Sequence, residues 1–143
     1  MNYLLIPAFS WLAAQGLKYL GELFGSSKKK QSSLMPSPLV LSGGMPSAHS
    51  ATVTSLTAAV GYYEGIYSAI FAISLLFSSV VMYDAMMVRY SSGRQGEALN
   101  ELLKQSKKKF KPVRVAHGHT PLEVLAGAVL GAIIACVVIF ATK

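Results

Sequence analysis

Four long apolar segments constrain the fold of this chain more than any other feature. A helix that crosses a bilayer needs roughly 17–25 mostly apolar residues. Segments of about that length run from Tyr3 to Phe24, Ser47 to Tyr63, Ile66 to Val88 and Pro121 to Thr142. The composition agrees, because 52% of the residues are hydrophobic and only 13% are charged, which is unusual for a soluble domain. We therefore predict an all-α fold, a polytopic membrane bundle of about four transmembrane helices in a single domain over residues 1–143.

The basic residues predict how this bundle is oriented. Lys and Arg number 13 against 6 Asp and Glu, and most of the excess lies in Lys28–Lys30 and Lys104–Arg114. The turn Tyr62–Gly65, between the second and third segments, has no positive charge. Since positively charged loops remain in the cytoplasm, we expect both basic loops there and both termini on the other side. Such loops are typical of contact with anionic membrane lipid, so we expect no nucleic-acid partner.

Two shorter segments are candidates for a fifth helix. Gly96–Lys104 has leucines at helical spacing beside charged residues, which predicts a short amphipathic helix on the membrane surface. Ser32–Leu41 holds two prolines and is too short to span a bilayer, so we interpret it as a re-entrant or interfacial segment.

Titratable residues gather at the cytoplasmic end of the predicted bundle. They come from different apolar segments and their flanks, and they are Lys18, His49, Asp84, Arg89, His119 and Glu123. Charged groups in or beside membrane spans are costly unless they face a cavity or one another. Their convergence on one membrane face therefore indicates a functional site.

The residue types at this end of the bundle indicate phosphate chemistry. Lys18 and Arg89 attract an anion, and the turn at Gly43–Gly44 precedes a helix whose first N–H groups do the same. Two histidines beside a phosphate suggest phosphoryl transfer, with one as nucleophile and the other as general acid. Cys136 stands alone in an apolar run, so it provides neither a disulfide nor a cysteine metal site within one chain. We expect no metal and no cofactor.

Three short motifs carry a resemblance to a known family. They are Gly43–Ser50 (GGMPSAHS), then Asp84-Ala85 with Val88-Arg89, Gly93 and Gln95, then Gly118-His119-Thr120-Pro121 with Glu123-Val124 and Gly127. In this order they resemble the divergent branch of the phosphatidic acid phosphatase type 2 superfamily, which includes lipid phosphatases, bacterial acid phosphatases and vanadium haloperoxidases. The similarity runs from about Gln15 to Gly131.

The resemblance implies catalytic roles for individual residues. His119 takes the place of the family's nucleophile, and Glu123 takes that of the orienting carboxylate, where the family usually has Asp. His49, the last residue of Pro46–His49, takes the place of the general acid. Ala48 stands where the common family pattern has Gly.

The resemblance also implies a set of phosphate ligands. They are Lys18, Arg89 and the backbone N–H groups of Gly44, Ser47 and Ala48. We prefer Arg89 to Arg114 as the arginine ligand, because Arg114 follows a polybasic run. Asp84 is expected to support the site by pairing with Lys18 or Arg89, since an unpaired carboxylate at that depth is expensive.

Several of these residues also have a simpler interpretation. Thr120–Glu123 is a capping box with Pro at the first helical position, which alone explains Glu123. His49 fits a hydrogen-bonded residue at a helix start, and Lys18 fits a lysine that reaches towards the interface. His117 has no carboxylate four residues later, so we interpret it as a loop histidine.

The sequence predicts a membrane-embedded, metal-independent phosphatase that hydrolyses a phosphomonoester or lipid phosphate at the cytoplasmic face through a phosphohistidine. The alternative is a non-catalytic membrane protein that binds anionic lipid head groups or a partner through the same basic pocket. A vanadate-dependent peroxidase is a third and more distant reading. We expect the plasma membrane of a bacterium, and a homodimer formed through small-residue surfaces, for which the candidates are Gly21, Gly25, Gly61, Gly127 and Gly131.

Overall fold

The computed structural model describes residues 3–24, 45–106, 110–113, 115 and 118–142. In chain order the helices are α1 (Leu5–Phe24), α2 (Ala48–Tyr63), α3 (Ala69–Tyr83), a π-helical turn (Asp84–Val88), α4 (Arg89–Gln105) and α5 (Pro121–Ala141). No strand occurs within these described ranges, and the predicted all-α membrane bundle is confirmed. The segment Ser32–Leu41 lies outside the described residues.

α3, the π-helical turn and α4 form one continuous helix of 37 residues, Ala69–Gln105. The structure differs here from the prediction of a separate short helix at Gly96–Lys104, which is part of this longer element. The chain contains no proline between Ser68 and Gln105 that would end the helix, and helices tolerate isolated glycines at a cost of about 1 kcal/mol each.

The turn between α2 and α3 explains where α3 begins. Gly65 turns the chain with a φ of 84°, a left-handed conformation that favours glycine. Ser68 then caps the helix, because its hydroxyl oxygen accepts the N–H of Phe71 at 3.1 Å. The helix therefore starts at Ala69, three residues after the predicted start at Ile66.

α2 lies at the centre of the bundle and contacts α1, α3 and α5. Gly127 and Gly131 let α5 approach α2 closely, since a Cβ atom on either would overlap the carbonyl oxygen of Ser47 or Ala51. The Ala51 carbonyl also accepts the hydroxyl of Ser10 from α1, at 3.0 Å. Three helices thus meet at one crossing point. The Gly127–Gly131 pair, predicted as a dimer surface, is used inside the chain.

The two faces of α5 differ in side-chain size. The buried residues form a narrow stripe that is small near the crossing with α2: Val124, Gly127, Gly131, Ala135 and Ile139. The exposed large residues form a second stripe: Leu122, Leu125, Val129, Ile133, Val137 and Phe140. Small residues between helices and large apolar residues outside are typical of helices surrounded by lipid.

Hydroxyl groups join α2 to α3. The Ser78 hydroxyl donates to the Val53 carbonyl at 3.0 Å, and the Thr57 hydroxyl lies 2.6 Å from that of Ser78. All three residues are buried. The polar side chains of α2 are therefore compatible with a membrane interior, because their hydrogen bonds are made within the bundle.

Two helices of the described chain are long and apolar enough to cross a membrane, Ala69–Gln105 and Pro121–Ala141. α2 has 16 residues, a length of roughly 24 Å, which is shorter than the ~30 Å hydrocarbon core. α1 has 20 residues and carries Lys18 near its end. Helices occupy all four predicted segments, and the count of four membrane crossings stays a prediction.

Candidate active site

His119 and Glu123 form the centre of the candidate site. Nδ1 of His119 lies 2.9 Å from Oε2 of Glu123, and the histidine side chain is 4% exposed against 23% for the carboxylate. Since an ionised carboxylate only accepts hydrogen bonds, Nδ1 is the donor. A ring oriented in this way directs Nε2 away from Glu123, and Nε2 is the nitrogen atom that a nucleophilic role requires to be unprotonated.

Glu123 also caps α5, as the alternative interpretation of this residue requires. Its Oε2 accepts the backbone N–H of Thr120 at 3.2 Å, and its own N–H donates to the Thr120 hydroxyl oxygen at 3.3 Å. The structure therefore gives Glu123 both contacts, and a single oxygen atom makes them. The capping box and the contact with His119 form together, because both require Glu123 to lie in the first turn of α5.

The backbone of His119 is held by the π-helical turn. Its N–H donates to the carbonyl of Ala85 at 2.9 Å. The N–H of Arg89 bonds the Asp84 carbonyl, five residues back, rather than the Ala85 carbonyl four residues back. The extra residue of the turn thus releases one helix carbonyl for an outside partner, and that partner is His119.

Two described residues before His119, Val113 and Gly118, contact α4. The Asn100 side chain bonds Val113 twice, through Nδ2 to its carbonyl at 2.9 Å and through Oδ1 from its N–H at 2.7 Å. Further along, Gly118 approaches the backbone of Tyr90 so closely that a Cβ atom there would contact its nitrogen. Neither Ala85 nor Gly118 was assigned a positioning role from the sequence. Their presence within the family-like motifs was the available signal.

His49 faces His119 from the start of α2. The two ring centroids are 6.5 Å apart, with the ring planes inclined at 58°. His49 is exposed, whereas His119 is buried. The buried ring is held by Glu123 and the accessible ring stands opposite, so the two histidines occupy different environments, as a nucleophile and a proton donor require.

Three charged residues lie within electrostatic range of His49. The charges of Arg89, Lys18 and Asp84 all act on its imidazole. Arg89, one of the two partners expected for Asp84, pairs with it through Nε, at 3.2 Å from Oδ2. Pairing through Nε leaves the terminal amino groups of the guanidinium for another anion. Lys18 is 6% exposed.

The backbone N–H of Ser47 does not have the phosphate-binding role that was expected of it. Its N–H donates to the Glu123 carbonyl at 3.0 Å, and its hydroxyl oxygen accepts the N–H of Ser50 at 3.4 Å. Ser47 therefore joins α2 to α5, and its N–H is engaged within the protein rather than directed at a ligand. Ala48 is the first residue of α2 and is 3% exposed.

Some expected residues lie outside the described ranges. They are Gly44, Arg114 and His117. Within the described ranges, no group of three or more His, Cys, Asp or Glu side chains is arranged to hold a metal ion. The described site thus consists of two histidines, one orienting carboxylate and an ion pair, with Lys18 beside them.

Comparison with known proteins identifies the family of this chain. The sequence profile of the Divergent PAP2 family matches residues 1–134. The chain belongs to this family. The matched range includes His49, Arg89, His119 and Glu123.

A curated relative is similar over much of the chain. It is the uncharacterized membrane protein YuiD of Bacillus subtilis, 34% identical over 113 residues, which cover 68% of this chain and 72% of the relative. No solved structure shows a significant match to this chain. The present chain is a membrane protein of the Divergent PAP2 family.

Proposed function

We propose that this protein is an integral-membrane, metal-independent phosphatase that removes the phosphoryl group from a phosphomonoester or lipid phosphate. The observation that carries the proposal is the pair formed by His119 and Glu123, 2.9 Å apart, with the ring of His49 6.5 Å from that of His119. Membership of the Divergent PAP2 family supports the same chemistry by analogy.

In the first step of the proposed reaction, Nε2 of neutral His119 attacks phosphorus in line with the leaving oxygen. The N–P bond forms as the P–O bond to the leaving group breaks, and protonated His49 gives its proton to that oxygen. His119 becomes a phosphohistidine. The Glu123 carboxylate stabilises the positive charge that develops on its ring, as the carboxylate of a catalytic triad does.

In the second step, water attacks the phosphorus of the phosphohistidine. His49, now neutral, takes a proton from the water as the N–P bond breaks. The products are inorganic phosphate and neutral His119, with His49 protonated again. His49 acts first as acid and then as base, and His119 acts first as nucleophile and then as leaving group. Each cycle therefore converts one ester and one water molecule into an alcohol and inorganic phosphate.

The proposed electrostatic contribution comes from cations at the same end of the bundle. The terminal amino groups of Arg89, the ammonium of Lys18 and the N-terminal end of α2 stabilise negative charge on the transferring oxygens. Asp84 holds Arg89 through Nε. Phosphoryl transfer depends mainly on such positioning and charge stabilisation.

We place the site at the cytoplasmic face of a bacterial plasma membrane, with both termini on the opposite side. The distribution of basic residues supports this orientation, and the bacterial relative is itself named as a membrane protein. We also propose a homodimer. It requires a surface other than the Gly127–Gly131 stripe, since that stripe packs against α2; Gly21 on α1 has open space around it.

A non-catalytic protein that binds anionic lipid head groups is the second candidate. The shared oxygen of Glu123 favours it, because the contact with the Thr120 N–H makes this carboxylate useful to a helix start without any reaction. The same cations serve to hold a head group. The two candidates differ only in whether phosphorus is attacked.

Hydrolysis by the purified protein tests the proposal. In detergent with a chelator present, we expect release of phosphate from nitrophenyl phosphate or phosphatidic acid, and an acid-labile phosphoenzyme in quenched samples. His119→Ala should abolish both signals, and His117→Ala, two residues away, should retain them. Release no faster from the wild type than from His119→Ala would leave the binding protein as the better description.

A further inference from the structure

The π-helical turn contacts two parts of the candidate site that come from different elements. Where it ends, the Arg89 N–H bonds the Asp84 carbonyl, and Nε of Arg89 pairs with the Asp84 carboxylate at 3.2 Å. Within the turn, the carbonyl of Ala85 accepts the N–H of His119 at 2.9 Å, a bond that we call the backbone anchor. One turn of helix therefore holds both the proposed phosphate ligand and the backbone of the proposed nucleophile.

The backbone anchor exists because the turn has one residue more than a regular helix. In an α-helix each carbonyl accepts the N–H of the residue four positions later, so Ala85 would bond the N–H of Arg89. In the π-helical turn that N–H bonds Asp84 instead. Ala85 is buried, so its carbonyl needs a partner from the protein, and His119 is that partner.

The backbone anchor complements the contact of His119 with Glu123. The contact of Nδ1 with the carboxylate, at 2.9 Å, restricts rotation of the ring. The bond at the backbone N–H restricts the position of the residue that carries the ring. In-line attack requires both, because the reacting atoms must be aligned and about 3–3.5 Å apart.

A glycine lets the chain before His119 come close enough to form the backbone anchor. A Cβ atom on Gly118 would lie 2.5 Å from the nitrogen and 2.9 Å from the Cα atom of Tyr90. Both are backbone atoms of α4, which cannot turn aside as the end of a side chain can. The backbone anchor therefore depends on Gly118 as well as on Ala85.

We infer that the π-helical turn is a positioning element of the proposed reaction, in which Ala85 and Gly118 are positioning residues for His119. The inference rests on the proposed function, since it concerns the nucleophile of that reaction. The turn sets the distance between the phosphate ligand Arg89 and the nucleophile. In this role Ala85 and Gly118 do not contact the phosphoryl group, so loss of the backbone anchor lowers kcat and leaves the affinity for phosphate intact.

Deletion of Met87 removes the backbone anchor selectively. Met87 is exposed, and its loss shortens the π-helical turn to the length of a regular helical turn. Arg89 then follows its partner carboxylate by four residues, a spacing that keeps the ion pair on one helix face. Tyr90 follows Ala85 by four residues, so the N–H of Tyr90 takes the carbonyl that held the histidine.

Kinetics then separate positioning from binding. We expect deletion of Met87 to lower kcat for nitrophenyl phosphate by roughly ten- to a hundred-fold, the scale of a misplaced reacting group. The inhibition constant for inorganic phosphate should stay unchanged, because Arg89 keeps its ion pair. The matched control is Met87→Ala, which removes the same side chain and keeps the extra residue. An equal loss of kcat in Met87→Ala, or phosphate inhibition weakened as much as kcat by the deletion, overturns the inference.

Hydrogen exchange tests the backbone anchor without any turnover. The chain has three histidines, so protein labelled with nitrogen-15 histidine gives three backbone amide signals, which His49→Ala and His117→Ala assign. We expect the His119 amide to exchange roughly ten-fold faster after deletion of Met87, because it loses its hydrogen bond. In Met87→Ala it should keep the wild-type rate. An unchanged rate after the deletion overturns the inference.

Gly118→Ala is a second variant that leaves the chain length unchanged. The added atom moves the chain away from Tyr90, so the His119 amide should again exchange faster and kcat should fall. Its control is Gly96→Ala, where the added atom meets a methyl group of the Val115 side chain at 3.3 Å, which can move. Equal exchange rates in the two glycine variants contradict the inference.

The exchange result also separates this inference from the proposed function. Faster exchange of the His119 amide in both anchor variants, in a protein that hydrolyses no phosphomonoester, supports the backbone anchor and refutes only the phosphatase. Hydrolysis that is lost in both variants while this amide keeps its wild-type exchange rate refutes the positioning role and leaves the phosphatase standing.

Discussion

The imidazole of His119 and the carboxylate of Glu123 meet through one oxygen atom that also caps α5. Oε2 of Glu123 accepts Nδ1 of His119 at 2.9 Å and the N–H of Thr120 at 3.2 Å. One carboxylate oxygen therefore serves both the helix start and the histidine ring. The catalytic and structural readings of Glu123 are separable by charge, because a cap needs an acceptor and a developing imidazolium needs an anion.

Glu123→Gln tests this separation. The amide oxygen preserves an acceptor at the helix start but removes the negative charge. We expect turnover to fall by roughly a hundred- to ten-thousand-fold, as when the orienting carboxylate of a triad is lost. Thermal stability should change by at most ~1 kcal/mol, the scale of a helix cap.

Thr120→Ala is the matched control for that variant. It removes the hydroxyl that accepts the Glu123 N–H and keeps the charge. We expect a loss of about 1 kcal/mol in unfolding free energy with turnover nearly intact. The opposite pattern, full turnover in Glu123→Gln and lost turnover only in the destabilised Thr120→Ala, would make Glu123 a cap alone and Asp84 the next candidate partner.

The role of His49 is tested by varying the leaving group. A proton donor matters most when the leaving oxygen is a strong base, and little for nitrophenolate. We expect His49→Ala to slow hydrolysis of an alkyl phosphate far more than that of nitrophenyl phosphate, with single-turnover rates as the measurement. Equal slowing of both esters argues that His49 binds phosphate instead of donating a proton.

Arg89 should bind the phosphoryl oxygens. We expect Arg89→Ala to raise the inhibition constants for vanadate and phosphate by about ten- to a hundred-fold, since a hydrogen bond to a charged group contributes ~1.5–3 kcal/mol. Arg94→Ala serves as the control on α4, where Arg94 is exposed. Arg114→Ala is the decisive comparison, and an equal or larger effect there would transfer the role to Arg114.

The close contact between α5 and α2 should be sensitive to one methyl group. Gly131→Ala places a Cβ atom against the Ala51 carbonyl, so we expect a loss of about 1–3 kcal/mol from overpacking. Gly16→Ala is the control on α1, since nothing lies within 4 Å of the added atom, and alanine favours a helix by ~0.5–1 kcal/mol. Unfolding in detergent gives both values. A tolerated Gly131→Ala would contradict the packing described for these helices.

The four-span orientation is tested by labelling single cysteines with an impermeant maleimide in a Cys136→Ala background. Cysteines at Lys29 and Lys104 should react only from the cytoplasmic side, and one at Glu64 only from the other, because the chain crosses the membrane between them. Reaction at Lys29 and Glu64 from the same side would exclude four spans.

Local features of the site were predictable from the sequence. The capping box at Thr120 and the contact of His119 with Glu123 join residues three and four apart, which helix geometry brings together. The membrane class followed from long apolar segments, and the family followed from three motifs in order. These inferences depend on composition or on residues close together in the sequence. For such residues, local chain geometry allows few alternative arrangements.

Relationships between distant residues were decided by the tertiary structure. The sequence left Asp84 with two possible partners, and the structure shows an ion pair with Arg89 across the π-helical turn. The same turn freed the Ala85 carbonyl for the N–H of His119. A helix takes up the extra residue of a π-helical turn where hydrogen bonds to other parts of the chain favour it. The sequence pattern of one helix does not show where those other parts lie.

The glycines of α5 show the same difference between what the sequence determines and what the tertiary structure decides. The sequence by itself determined that Gly127 and Gly131 lie on one stripe of α5, since they are four residues apart. Only the tertiary structure decided that this stripe packs against Ser47 and Ala51 of its own chain and not against a second copy. Helical periodicity fixes which residues share a face, whereas the partner of that face depends on the crossing of helices far apart in the chain.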